Sequence, residues 1–215
     1  MYKVFSVCLI LFLLAFFGSY ANAKDENENL LPNGSFEEIF SKGAVKMAKA
    51  NNGAPSAAKS WMCWLNNANN IVTEVIKDRK LALEGDHVIR MTVDGDSSGL
   101  FMYYLNGNPE TVTCSGWFYV LEGTVGLGIG SNANGFEFVK SMKHNEWEFM
   151  VVTADGAKIP EEVLIYSQGG AVDLYADAVW INYGEKTTNP VTAVAHAVDL
   201  KGKLAANWSR IKAKY

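Results

Sequence analysis

From residue 87 onward the chain alternates between apolar and polar positions. His87–Val93 sets Ile89, Met91 and Val93 on one side and Val88, Arg90 and Thr92 on the other, the period of two expected of a strand with one face turned to a core. Thr111–Leu121 repeats the pattern, with Val112, Cys114, Gly116, Phe118 and Val120 on one face and Thr113, Ser115, Trp117 and Tyr119 on the other. Leu100–Leu105, Thr124–Ile129, Phe136–Val139, Glu146–Thr153, Val163–Ser167 and Val172–Asn182 read the same way. Turn residues punctuate them at Asp94–Gly99, Asn106–Pro109, Glu122-Gly123, Asn132–Gly135, Asp155-Gly156 and Gly169-Gly170. Short strands at a spacing of roughly 8–12 residues predict an all-β, antiparallel jelly-roll β-sandwich. The absence of a long helical stripe disfavours a βαβ fold. Within 38–60, Ile39–Lys49 fits one short helix and Asn51–Ser60 is small and polar, so the stretch reads as an elaborated loop.

The two ends differ from this body. Residues 1–23 read as a secretory signal: Lys3, then an uncharged apolar run from Val4 to Phe17, then Ala21-Asn22-Ala23 as a small-x-small cleavage site. The run falls short of the roughly 20 apolar residues that span a bilayer. The sandwich is assigned to 24–184. Residues 185–215 read as a linker (Glu185–Pro190) and a basic amphipathic tail with helical spacing at Leu204, Trp208 and Ile211. The expected location is extracellular or at the cell surface.

Of the 215 residues 49 % are hydrophobic and 20 % charged, which excludes a disordered chain. A net charge of −4 speaks against a bulk electrostatic grip on nucleic acid. Cys8 leaves with the signal; Cys63 and Cys114 remain, either as a disulfide joining two strands or as two small buried thiols. No nucleophile elbow, zinc motif or phosphate loop appears, and His87, His144 and His196 are scattered. Gly126-Leu127-Gly128-Ile129-Gly130 is glycine-rich, yet it alternates with Val125, Leu127 and Ile129 as a strand does. The acid pairs Glu84/Asp86, Glu146/Glu148 and Glu161/Glu162 adjoin turns and read as solubility charges, so no enzyme is expected. Asp94–Gly99 starts like a calcium loop but has Leu105 where a bidentate Glu belongs, and reads as a hairpin turn.

Outward aromatics are the candidate binding chemistry. If Val112, Cys114 and Phe118 face the core, Trp117 and Tyr119 point out of the sandwich, Tyr166 and Gln168 do so on the strand at 163–168, and Arg90 joins them from His87–Val93. Flat rings flanked by polar groups suit the C–H face of a pyranose and its hydroxyls. The alternative is that residues 38–60 cover these rings as a second small core. Trp147 reads as core. Trp61 and Trp64 flank Cys63 and read as strand packing, the alternative being that they line a loop-end site.

Asn29-Leu30-Leu31-Pro32-Asn33-Gly34-Ser35-Phe36-Glu37 near the start and Asp173–Ile181 near the end resemble the first and last strands of carbohydrate-binding modules of the 4/9/22 type, which are galactose-binding-like jelly rolls. The resemblance spans about residues 29–184. It implies a poly- or oligosaccharide ligand and, where the first and last strands meet, a structural calcium with Glu37 and Asp177 as carboxylate contributors; the alternative is that both cap strand ends. Ala178 departs from the second acid common there. Gly202-Lys203-Leu204 with Trp208–Lys212 is similar to a C-terminal ending of assorted secreted bacterial proteins, implying surface attachment; the alternative is a solvated amphipathic helix. The expectation is a secreted, non-catalytic carbohydrate-binding protein. The other reading is a structural or adhesive surface protein using the same fold for protein contacts.

Overall fold

The computed structural model describes residues 28–103, 110–158 and 160–191. The signal-peptide, Asn106–Pro109 and helical-tail readings therefore lie outside the described residues.

The described chain forms β1 (Val45–Ala48), β2 (Met62–Trp64), β3 (Asn70–Lys77), β4 (His87–Val93), β5 (Gly99–Tyr103), β6 (Val112–Glu122), β7 (Val125–Ser131), β8 (Gly135–Lys140), β9 (Trp147–Ala154), β10 (Glu162–Ser167) and β11 (Val172–Tyr183). They pair antiparallel into a six-stranded sheet, β1-β3-β4-β11-β6-β9, and a five-stranded sheet, β2-β5-β10-β7-β8. This is the double-layered jelly-roll β-sandwich that the alternation predicts. The core between the layers takes the inward half of each pattern. Cys114, Phe118 and Val120 of β6 and Leu174, Ala176, Val179 and Ile181 of β11 face Val125, Leu127 and Ile129 of β7 and Val163 and Ile165 of β10. No helix among the described residues is long and apolar enough to cross a membrane.

β11 carries the main irregularity. Its register with β6 shifts between Asp177 and Trp180, and Ala178 sits at φ 48°. Such a bulge inserts one residue, so Leu174 and Ala176 face the core before it and Val179 and Ile181 after it. Pairing with β4 runs only to Ala176. The N-terminal segment then takes over: Val179 N–H donates to the Gly34 carbonyl, Leu30 N–H to Ile181, and Asn29 Oδ1 accepts from Ile181 N–H. Gly34 must be glycine here, because a Cβ would stand 1.9 Å from the Val179 carbonyl oxygen.

Three local expectations are corrected. Ile39–Lys49 is not a helix: β1 pairs with β3 at the sheet edge, with Met47 turned inward, and Lys49–Asn51 is a single 3-10 turn. Pairing with an available edge wins over a weak helical period. Trp147 is half-buried on the outer face of β9, because Met150, Val152 and Ala154 take the inward positions. Residues 185–191 do more than link: Thr113 Oγ1 donates to the Gly184 carbonyl, Ser115 shares a hydrogen bond with Thr187, and Asn189 Nδ2 donates to Ser115 Oγ and the Ala178 carbonyl. The segment packs along the outer side of β6.

Candidate functional site

The five residues of the expected platform lie on two opposite faces. Trp117, Tyr119 and Arg90 belong to the six-stranded sheet; Tyr166 belongs to β10 of the other sheet, and Gln168 follows its end. The core separates them, and stacked sheets stand about 10 Å apart, so these residues do not make one surface. Their alternation gave the outward direction correctly but not the sheet. Trp117 is covered as well, at 6 % exposure. The cover is not 38–60: Val191 and Leu83 pack on it, together with Ala178, Trp147 and Phe149. Tyr119 stands edge-on between Trp147 and Tyr175. Arg90 is held by both oxygens of Asp173, at 3.0 and 2.7 Å, and lies over the Tyr175 ring. Trp61 is buried, as expected, against Phe36 with its Nε1 donating to the Asn33 carbonyl.

A groove of about 440 Å³ opens on the outer face of the five-stranded sheet. The register shows how it is built. Leu164 of β10 stands opposite Phe101 of β5 on one side and Gly128 of β7 on the other, and Gly128 stands opposite Phe138 of β8. One step along, the row runs Tyr103, Glu162, Gly130, Phe136. Large rings therefore rise from the flanking strands, while the middle is kept low. Val125, Leu127 and Ile129 point into the core, so the alternate positions of β7 face outward, and glycine there leaves no side chain. The rings lie down on that bare track. A Cβ at Gly126 would fall 2.2 Å from the Tyr166 ring, and one at Gly128 would fall 2.4 Å from the Phe138 ring. Phe136 and Phe138 stack at 5.7 Å and Phe138 meets Tyr166 at 5.2 Å. Trp64 and Phe101 close the other wall with Tyr103, and Asn52 and Gly53 lie beyond them. Phe138 remains 49 % and Tyr103 53 % exposed, available to a ligand from above.

The polar groups sit at one end. Glu162 Oε1 accepts from Asn132 Nδ2 at 2.8 Å, and both residues line the groove. Burial first, and the Glu161 charge second, push the Glu162 carboxyl above the usual range. Burial, Glu162 and Glu161 also raise the Tyr103 phenol. In sequence Glu161/Glu162 read as solubility charges, yet Glu162 is buried, at 4 % exposure. Of the groove's residues the sequence points only to Trp64, as the alternative loop-end reading, although Tyr166 packs on the groove's wall. The signal was present as outward glycines on β7 and ring-x-ring pairs at Phe101/Tyr103 and Phe136/Phe138. Only the strand order places those pairs across from one another.

Glu37 and Asp177 act together on the 83–87 loop. Asp177 Oδ2 accepts from the Leu83 and Glu84 amides and Oδ1 from Ala178. Glu37 Oε1 accepts from the Asp86 and His87 amides, and Oε2 bonds His87 Nδ1. Burial pushes Asp177 up to about 7, with its amide bonds opposing and the Glu84 charge assisting. Burial works on Glu37 the same way, but its bonds to His87 and to the two amides outweigh it and hold the carboxyl below the usual range. In this arrangement Glu37 and Asp177 cap the 83–87 loop, each of their four carboxylate oxygens hydrogen-bonded to nitrogen, and no third His, Cys, Asp or Glu side chain among the described residues joins them as a metal group. The turn at Asp94 and Asp96 is likewise closed on itself, through the Asn69, Asn70 and Gly169 amides.

Cys63 and Cys114 are free thiols, each fully buried in the common core. The disulfide alternative is thus not realised here. Burial pushes Cys63 up to about 12 despite a hydrogen bond with Thr73, and raises Cys114 as well.

No family model and no curated protein matches the sequence. Solved structures do. The chain is similar to the CBM22-1 xylan-binding domain of Paenibacillus barcinonensis Xyn10C, at 11 % identity over 68 % of this chain and 99 % of that one, with a TM-score of 0.45. It is similar to TmCBM61 in complex with β-1,4-galactotriose, at 15 % identity over 73 % and 99 %, with a TM-score of 0.45. It is also similar to the enzymatically active domain of bacteriophage CBA120 tailspike protein 4, at 9 % identity over 75 % and 23 %, with a TM-score of 0.49. Carbohydrate-binding modules of families 4 and 11 are among the further matches.

Proposed function

We propose that the protein binds a poly- or oligosaccharide in the groove of the five-stranded sheet. The observation that carries this is the facing of two aromatic pairs, Phe101 and Tyr103 on β5 and Phe136 and Phe138 on β8, with Phe138 laid on the β7 glycine track and Glu162 and Asn132 at one end. Aromatic faces take the C–H face of a sugar, and a carboxylate accepts hydrogen bonds from hydroxyls. The volume falls within the range of ligand sites, roughly 300–1,000 Å³. The reading is one of binding: the groove presents rings and a single carboxylate, Glu162, among its described residues, where glycoside hydrolysis would use two carboxyls facing one cleft. Export follows from reading residues 1–23 as a signal.

The test is affinity electrophoresis of the full chain through gels holding soluble polysaccharides, with Phe138→Ala and Tyr103→Ala beside the wild type. Each substitution removes a half-exposed ring, so the fold should persist. A retarded wild type and variants weakened about tenfold, as expected when a central ring is lost, support the reading. Equal retardation of all three overturns it.

A further inference from the structure

The groove has a charge and no counter-charge. Glu162 is buried at one end of it, where the neutral amide of Asn132 donates to its Oε1. No lysine, arginine or histidine is among the described groove residues. Lys158, beside Gly135 at the rim, pairs with Glu137 at 3.6 Å. Glu161 carries the same sign as Glu162, and Tyr103 stands directly opposite Glu162 on β5, its phenol raised by burial and then by the two acids. A second property accompanies the charge: rings stand on both sides of it, and ring faces attract cations.

Building on the glycan reading, we propose that Glu162 makes this groove a charge filter, admitting uncharged sugars, favouring sugars that carry a free amine and excluding those that carry carboxylate or sulfate. An anionic ligand would meet a like charge in a partly desolvated site with no cation to neutralise either, where electrostatic interactions exceed their strength in water. A hydroxyl donates a charge-assisted hydrogen bond to the same carboxylate. An ammonium group gains both the carboxylate and the ring faces. The polar end of the groove thus sorts ligands by charge, and the ring walls reinforce it for an ammonium group alone.

The experiment is a glycan array holding matched members of several backbones: the neutral form, a uronate or sulfated form, and a free-amine form. It is probed with the full chain, with Glu162→Gln, and with Glu122→Gln, a charge change at the exposed end of β6 on the other sheet. Gln can still accept from Asn132, so Glu162→Gln retains the local hydrogen bond. The wild type should hold neutral and amine members, with acidic counterparts weaker by about tenfold or more. Glu162→Gln should narrow that gap, and Glu122→Gln should leave it unchanged. Acidic members bound by the wild type as tightly as their neutral counterparts overturn the filter and leave the glycan reading standing; this comparison needs no variant. An undiminished gap in folded Glu162→Gln also overturns it. A folded wild type that holds no member of any class overturns both.

Discussion

Gly128 offers a way to alter the groove without altering the fold. A methyl group there would lie 2.4 and 2.5 Å from two carbons of the Phe138 ring and 3.6 Å from the Leu164 Cβ. Ordinary carbon contacts begin near 3.5 Å, so the ring must retreat by about 1 Å. It can do so, because Phe138 lies on an edge strand and is 49 % exposed. Alanine in a strand gains roughly 0.5–1 kcal/mol over glycine from the unfolded chain. Lifting a half-buried ring loses about 1 kcal/mol of its burial. The two nearly cancel, so Gly128→Ala should melt within about 4 °C of the wild type. Its glycan affinity should nevertheless fall about tenfold, since one wall no longer meets the floor. Gly130 is the contrast: a Cβ there would lie 2.2 Å from the backbone oxygen of Gly135, with Phe136 Cα at 2.7 Å. The β7–β8 pairing itself must then shift, at a cost of about 1–3 kcal/mol. Calorimetric melting and isothermal titration with a glycan retained on the array read both quantities. Gly128→Ala binding as tightly as the wild type, or melting below Gly130→Ala, would refute the account of the groove as rings resting on bare strand.

Both thiols should ignore a water-soluble disulfide reagent in the native protein and react on denaturation; prompt native reaction at either would mean the core admits reagent. Asp177 makes the native state hold a proton that the unfolded chain releases near 3.8, its folded value being about 7, so stability should fall as pH rises between those values. Asp177→Asn should flatten that slope in urea midpoints, and a slope unchanged by the substitution contradicts the assignment. EDTA should leave the melting temperature unchanged. A resident calcium present at 100 times its Kd would contribute about 2.7 kcal/mol, roughly 5–10 °C, and such a loss would show that the 83–87 loop rearranges to let Glu37 and Asp177 take a cation.

Much of the sandwich was legible because burial is written into the chain twice over, in which residues are apolar and in their spacing. Val125, Leu127 and Ile129 announce a core face, and Thr113, Ser115, Trp117 and Tyr119 announce an outer one. The meeting of the Asn29–Glu37 segment with β11 was legible from two short motifs. Outer faces were less readable. Trp117 looks available in sequence, yet Leu83 and Val191 cover it from 34 residues before and 74 after. Glu162 looks like a solubility charge beside Glu161, yet strand placement buries one member of the pair.

By itself the sequence determined that the body is β, where its strands turn and which side of each strand is apolar, because side-chain direction alternates locally and needs no partner. The tertiary structure alone decided which strands lie side by side. β10 sits between β5 and β7, and β11 between β4 and β6, through pairings that no local period encodes. A one-sided pattern fits either sheet equally well. Only the strand order put Tyr166 and Tyr119 on opposite faces, and set Phe101 and Tyr103 across a glycine track from Phe136 and Phe138.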